Sequence, residues 1–121
     1  MVTPRPHEKL EVWKKAMSLC TEVYRVTDKF PSSEKFGLCS QMRRAAVSVC
    51  SNIAEGAARG SKSLYVQSLN IARGSLAELD TQLDISLRLK YISSDDHDNL
   101  RSQSEEVGKM LTGLIRVLRG I

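Results

Sequence analysis

Apolar residues recur along this chain at spacings of three and four, which is the period of amphipathic α-helices. The pattern divides into four segments, over residues 8–30, 33–56, 61–90 and 94–119. None of them shows the strict apolar–polar alternation of a half-buried β-strand. The chain is therefore predicted to be all-α, with four helices.

The segment 33–56 carries more apolar surface than one packing partner can cover. At about 100° per residue, one arc of this helix holds Leu38, Met42, Ala45, Ala46, Val49 and Ile53. One such stripe is enough for the core of a bundle, and soluble monomers seldom leave a second one exposed. We therefore expect a homo-oligomer in which the neighbouring arc contacts another subunit. The expected interface residues are Phe36, Cys39, Arg43, Val47, Cys50 and Ala54. Arg43 is expected to pair with a carboxylate there, and Glu78 is one candidate.

The helix boundaries follow from local signals. The residue before a proline avoids helical dihedrals, so the first helix should end at Phe30, before Pro31. Gly56 is expected to terminate the second helix as its C′ residue. The expected N-caps of the later helices are Ser32 or Ser33, Ser61, and Ser93. Residues 1–7 are predicted to form a frayed arm. Three glycines inside helices indicate either close helix contact or tolerated exposed sites: Gly74, Gly108 and Gly113.

Connections of a few residues require consecutive helices to pack as antiparallel neighbours. The prediction is one domain over residues 1–121, folded as an up-down-up-down antiparallel four-helix bundle. No apolar run approaches the roughly 20 residues of a membrane span, so a cytoplasmic protein without membrane contact is expected. Cys39 and Cys50 would lie about 16 Å apart on one helix, too far for a disulfide. With Cys20, they are interpreted as buried apolar residues.

Nothing in the chain indicates an enzyme. Its two histidines are His7, in the predicted arm, and His97, in an acidic first helical turn that favours helix initiation. There is no phosphate-binding glycine loop and no Glu-x-x-His pair of the kind that holds di-iron in bundles. We therefore expect no catalytic residues, no metal and no cofactor.

The distribution of charge favours nucleic acid as a ligand. The net charge is +4, and residues 34–62 hold five basic and two acidic side chains, a net +3. A basic surface binds phosphates with release of counterions. Aromatic residues make up only 5% of the chain, too few for base stacking as the main mode. The residues expected to contact phosphates are Lys14, Lys15, Arg44, Arg59 and Lys62.

Several short motifs together resemble one family. They are Leu10-x-Val12-Trp13, Phe30-Pro31-x-x-Glu34, Gln41-x-Arg43-Arg44-Ala45-Ala46-x-Ser48, Ser51-Asn52-Ile53-Ala54-Glu55-Gly56 and Gly74-Ser75-Leu76-x-Glu78-Leu79. In this respect the chain is similar to the four-helix-bundle proteins encoded in intervening sequences of bacterial 23S rRNA genes. The resemblance implies a cytosolic ring-like homo-oligomer, a pentamer, and no enzymatic activity. It also implies a relation to accessory proteins of diversity-generating retroelements, which bind nucleic acid and a reverse transcriptase.

Two functions remain open at this level. One is an oligomer that binds RNA or DNA through its basic surface. The alternative is a structural scaffold or adaptor that docks a protein partner, such as a reverse transcriptase, without direct contact with nucleic acid. Many soluble proteins have this net charge and no nucleic-acid partner, so the charge alone does not separate the two.

Overall fold

The computed structural model describes residues 2–120, and within them the prediction of four helices is confirmed. The helices are α1 (Glu11–Thr27), α2 (Leu38–Ala58), α3 (Lys62–Arg88) and α4 (Ser94–Arg119). Two 3₁₀ turns, Pro6–Lys9 and Ser32–Glu34, precede α1 and α2. The chain from 2 to 120 contains no β-strand. No helix in this range is both long and apolar enough to cross a bilayer.

The helices form a four-membered bundle in which each helix packs on two neighbours. α1 and α3 each contact α2 and α4. Met42 near the start of α2 meets Ser86 near the end of α3, and Gly56 near the end of α2 meets Ser68 near the start of α3. The two helices are therefore antiparallel, and the other neighbouring pairs show the same reversal. The short connections leave no other arrangement for consecutive helices.

The core is built from one stripe of each helix. In α2 it is the first predicted arc, with Met42, Val49 and Ile53 almost fully buried. α1 contributes the stripe that includes Val12, Leu19 and Val23. The remaining core side chains come from α3 and α4: Leu69, Leu79, Leu83, Leu100, Val107 and Leu111. This packing leaves part of the second apolar arc of α2 exposed at the edge of the bundle, namely Phe36 and Val47.

The start of α2 differs from the sequence prediction. Ser32 and Ser33 lie in a 3₁₀ turn, and neither caps the helix. Instead, Glu34 Oε1 accepts a hydrogen bond from the backbone N–H of Leu38 at 3.1 Å. The other oxygen of the same carboxylate accepts from the Tyr91 hydroxyl at 3.1 Å. A side chain from the α3–α4 connection thus helps to hold the first turn of α2. The predicted caps of α3 and α4 are confirmed, because Ser61 and Ser93 each accept from a backbone N–H three residues later.

Gly56 does not terminate α2, which continues to Ala58. Its role is close packing, because a Cβ at this position would lie 2.9 Å from the Cβ of Ser68 and 3.3 Å from the carbonyl oxygen of Tyr65. Gly108 shows only ordinary contact, at 3.4 Å from a methyl group of Leu76. A Cβ at Gly74 or Gly113 would meet no atom within 4 Å among the described residues.

The N-terminal segment is partly ordered, contrary to the prediction of a frayed arm. His7 is buried against Trp13, with ring centroids 4.7 Å apart. Glu8 accepts hydrogen bonds from the backbone and side chain of Arg5, and these bonds lower the pKa of its carboxyl group. The 3₁₀ turn is therefore held against the start of α1. Met1 lies outside the described residues.

Candidate interaction surfaces

The predicted oligomer interface is divided between the core and the surface. Cys39 and Cys50 are each 7% exposed and are covered by α1 within one subunit. The antiparallel packing of α1 on α2 already buries most of both side chains within one subunit, and Cys39 contributes only a small exposed part to the surface beside Phe36 and Val47. Ala54 is half-buried. Phe36 and Val47 remain 88% and 42% exposed.

Arg43 crosses from α2 to α1 and does not approach Glu78. Its Nε donates to the Thr27 hydroxyl at 3.0 Å and its Nη2 to the carbonyl of Tyr24 at 3.3 Å. The guanidinium also lies over the Tyr24 ring, 4.6 Å from its centroid. The carboxylate nearest to it is Asp28, at 3.7 Å. The predicted pairing with Glu78 is wrong, and Arg43 instead joins α1 to α2.

A shallow apolar depression lies beside this arginine. Tyr24, Phe36 and Val47 line a cavity of about 640 Å³. Arg43 and Arg44 border it, and the Lys35 ammonium lies 5.5 Å from the centroid of the Phe36 ring. We call this surface the apolar face. It consists of the exposed part of the second apolar arc of α2, together with Tyr24 of α1.

The rate at which Cys50 is alkylated tests whether α1 covers this side of α2. Burial, with a smaller contribution from Cys20, raises the pKa of Cys50 to about 12. Only the thiolate reacts, so native Cys50 at pH 8 should be labelled on the order of a thousandfold more slowly than a thiol of ordinary pKa near 8.5. Mass spectrometry after timed treatment with iodoacetamide, with and without urea, measures the difference. Equal rates in the two conditions would show that α1 does not cover this side of α2.

Three of the five residues predicted to bind phosphates already have a carboxylate partner. Lys14 pairs with Glu11 at 3.2 Å, and Lys15 pairs with Glu106 at 3.3 Å. Arg59 pairs with an acidic residue one turn earlier in α2, Glu55. These pairs are solvent-exposed and therefore weak, so the cations remain accessible, although part of their field is neutralised.

The other two predicted residues lie far apart. Lys62 is exposed at the start of α3 and has no carboxylate within 4 Å among the described side chains. Arg44 borders the apolar face near the start of α2. Because α2 is 21 residues long, Arg44 and Lys62 are near opposite ends of the bundle. The structure therefore does not bring all five residues together.

Charge is strongly segregated along the bundle axis. One half comprises residues 2–19, 49–75 and 107–120, and its ten basic and three acidic side chains give a net +7. The other half comprises residues 20–48 and 76–106, and its eight basic and eleven acidic side chains give a net −3. We call these halves the basic end and the acidic end.

The basic end contains cations that the sequence reasoning missed. Arg73 on α3 and Arg116 on α4 line a cavity of about 490 Å³ between these helices. Farther along, Lys62 and Arg119 line a second depression of about 330 Å³ between the same helices. We call this surface the α3/α4 groove. Within residues 2–120, none of these four side chains has a carboxylate within 4 Å. Residues 62 and 119 lie close together only because α3 and α4 are antiparallel. Counting charged residues along the sequence does not reveal this proximity.

The acidic end has its own short-range contacts. His97 Nε2 lies 2.9 Å from Asp84 Oδ1, which joins the start of α4 to the end of α3. Asp96 pairs with Arg25 of α1 and with Lys29, two residues after the end of that helix. No group of three His, Cys, Asp or Glu side chains in the described part of the chain is arranged to hold a metal ion.

Comparison with known proteins agrees with the fold. The sequence model of the 23S rRNA-intervening sequence protein family matches residues 8–113. A crystal structure of a protein of unknown function, from the S23 ribosomal protein family of Bacteroides thetaiotaomicron, superposes with a TM-score of 0.81. The two chains are 24% identical, and the match covers 87% of this chain and 95% of that one. At this identity the likeness shows the fold alone. No curated protein matches the chain.

Proposed function

Because the chain belongs to the 23S rRNA-intervening sequence protein family, we propose that it is a non-enzymatic cytoplasmic homo-oligomer that binds nucleic acid through the basic end of its bundle. The observation that carries the proposal is the segregation of charge, with a net +7 in one half of the subunit and −3 in the other. The net charge of the whole chain, +4, understates the positive potential of that half.

The carboxylates of the basic end neutralise few of its cations. Glu8, Glu11 and Glu55 each pair with one basic residue of the same end. Five further cations have no such partner among the described residues: Lys9, Lys62, Arg73, Arg116 and Arg119. Cations on an exposed surface release counterions when they meet phosphates, and this release drives binding that is insensitive to sequence. The arrangement supports a polyanion as the ligand.

The apolar face supports self-association. Phe36 is 88% exposed beside Tyr24 and Val47, and exposed aromatic and aliphatic clusters of this kind mark protein interfaces. A second copy of the chain is the occupant we propose, in a closed ring of five subunits. Subunits related by cyclic symmetry point in the same direction along the ring axis. If the bundles lie along that axis, five basic ends with +7 each place a charge of +35 on one face.

The affinity for nucleic acid should depend on which end of the bundle loses positive charge. Replacing Arg59 and Lys62 together by Ala should weaken binding of mixed-sequence RNA and DNA about tenfold. The slope of log affinity against log salt should become shallower by up to two phosphate contacts' worth, about 1.8 for duplex DNA. Fluorescence anisotropy over a salt series starting at about 50 mM measures both quantities.

The matched control removes the same charge from the acidic end. Replacing Arg88 and Arg101 together by Ala should change affinity for nucleic acid less than threefold, because neither residue lies in the basic end. Helix content and thermal stability should be unchanged in both double variants, since exposed charges contribute little to stability. Absence of binding by the native protein at low salt would refute the nucleic-acid function.

A further inference from the structure

Resting on the nucleic-acid function proposed above, we infer that the α3/α4 groove is the binding site for the sugar–phosphate backbone of a single strand. Arg73 and Arg116 face this groove from its two helices and line the same cavity of about 490 Å³. Arg73 makes one long hydrogen bond, 3.5 Å to the side-chain oxygen of Asn70. Both guanidinium groups therefore keep donors for a ligand, and guanidinium groups suit phosphate recognition through paired donors.

The cations continue along the groove toward the end of the bundle. Lys62 and Arg119 line its second depression. Lys62 and Arg73 are eleven residues apart on α3, about 16 Å along the helix axis at 1.5 Å per residue. A stacked strand rises about 3.4 Å per nucleotide, so this length corresponds to roughly five nucleotides.

The shape of the groove favours one strand over two. Its cations follow the surface channel between two adjacent helices, from Arg73 to Arg119. One backbone can follow such a channel along its length, whereas each backbone of a double helix winds away from it. Several of the residues that line the groove are small, namely Ala77, Gly108 and Thr112.

The residues that line the groove also determine which part of a strand can bind there. None of the residues that line its two depressions is aromatic, so bases have no stacking partner there. The acidic side chains lie at the far end, where Asp80 accepts a hydrogen bond from the buried hydroxyl of Ser104 and Glu105 pairs with Lys109. A strand is expected to bind from Arg73 toward Arg119, through its phosphates and without base preference.

The test compares two double variants that remove equal charge from the same end of the bundle. Replacing Arg73 and Arg116 by Ala should weaken binding of a fluorescein-labelled ten-nucleotide single strand at least tenfold. Its salt slope should become shallower by about 1.4, two contacts at about 0.7 each for single strands. Replacing Lys14 and Lys15 by Ala removes the same charge from α1, outside the groove, and should weaken binding less, by about threefold, because neither lysine lines either depression.

Two further measurements keep the inference separate from the broader function. Ala77→Leu, at an exposed position, fills the groove without changing charge and should weaken binding of the single strand severalfold. A duplex of the same length should bind more weakly than the single strand. Equal losses in the two double variants, or tighter binding of the duplex, would overturn the groove site and leave binding at the basic end intact. Absence of binding to either probe by the native protein would refute both.

Discussion

Val47→Lys is expected to convert the assembled protein to monomers. Val47 is 42% exposed and lines the cavity of the apolar face, and a lysine there must lose its hydration when a second subunit covers it. Removing a charge from water without a partner costs several kcal/mol. Arg43 and Arg44 border the same cavity, so the new ammonium meets like charge. An aspartate would be neutralised by these arginines and would be the weaker probe.

Light scattering coupled to size exclusion at micromolar concentration measures the result. The subunit mass is 13.5 kDa, so a pentamer at five times 13.5 kDa has a mass of 67.5 kDa. The Val47→Lys variant should elute at the subunit mass with unchanged helix content. Leu89→Lys is the matched control, because Leu89 is similarly exposed, at 50%, and lies in the connection after α3, outside the apolar face. A native protein of 13.5 kDa, or a variant that remains assembled, would contradict the assignment of the interface.

Gly56→Val is expected to lower the free energy of unfolding by about 3 kcal/mol. Any Cβ at this position overlaps the Cβ of Ser68, at 2.9 Å, and approaches the carbonyl oxygen of Tyr65, at 3.3 Å. A backbone atom has little freedom to move away, so α2 and α3 must separate or the helix must distort. Separation would expose part of the core around Ile53 and Leu69, which are both fully buried.

Urea unfolding followed by far-UV circular dichroism, at one fixed protein concentration, measures the loss. Gly113→Val is the control, because a Cβ at Gly113 meets nothing within 4 Å among the described residues. Its effect should stay within about 0.5 kcal/mol, as for other exposed sites. Equal stabilities of the two variants would show that Gly56 does not mark a close helix contact.

The helices of this protein could be predicted from the chain because their causes are local. Repeats of apolar residues at three and four positions place one face of each segment against the core. Ser61 and Ser93 cap α3 and α4 through a backbone N–H three residues away. The start of α2 was mispredicted because its capping carboxylate, Glu34, is oriented by Tyr91, a residue 57 positions later in the sequence.

The role of a glycine or an arginine was harder to predict, because one sequence signal fits several environments. A glycine near the end of a helical pattern suits a C′ position, but Gly56 is needed where α2 crosses α3. Arg43 was placed on the correct side of α2, toward the second arc. Its partners proved to be Thr27 and Tyr24 of α1 and Asp28, which caps the end of that helix. Which helix covers that arc depends on the packing of the whole bundle.

The amino-acid sequence by itself determined the fold class, the number of helices, the apolar stripes and the family. Each of these depends on patterns of residue types at short separations, and such patterns can be recognised in the sequence alone. Only the tertiary structure decided which helix covers the second arc of α2 and where the charges meet. Antiparallel packing brings Lys62 beside Arg119 and separates Arg44 from both, so a modest net charge becomes a strongly basic end opposite an acidic one.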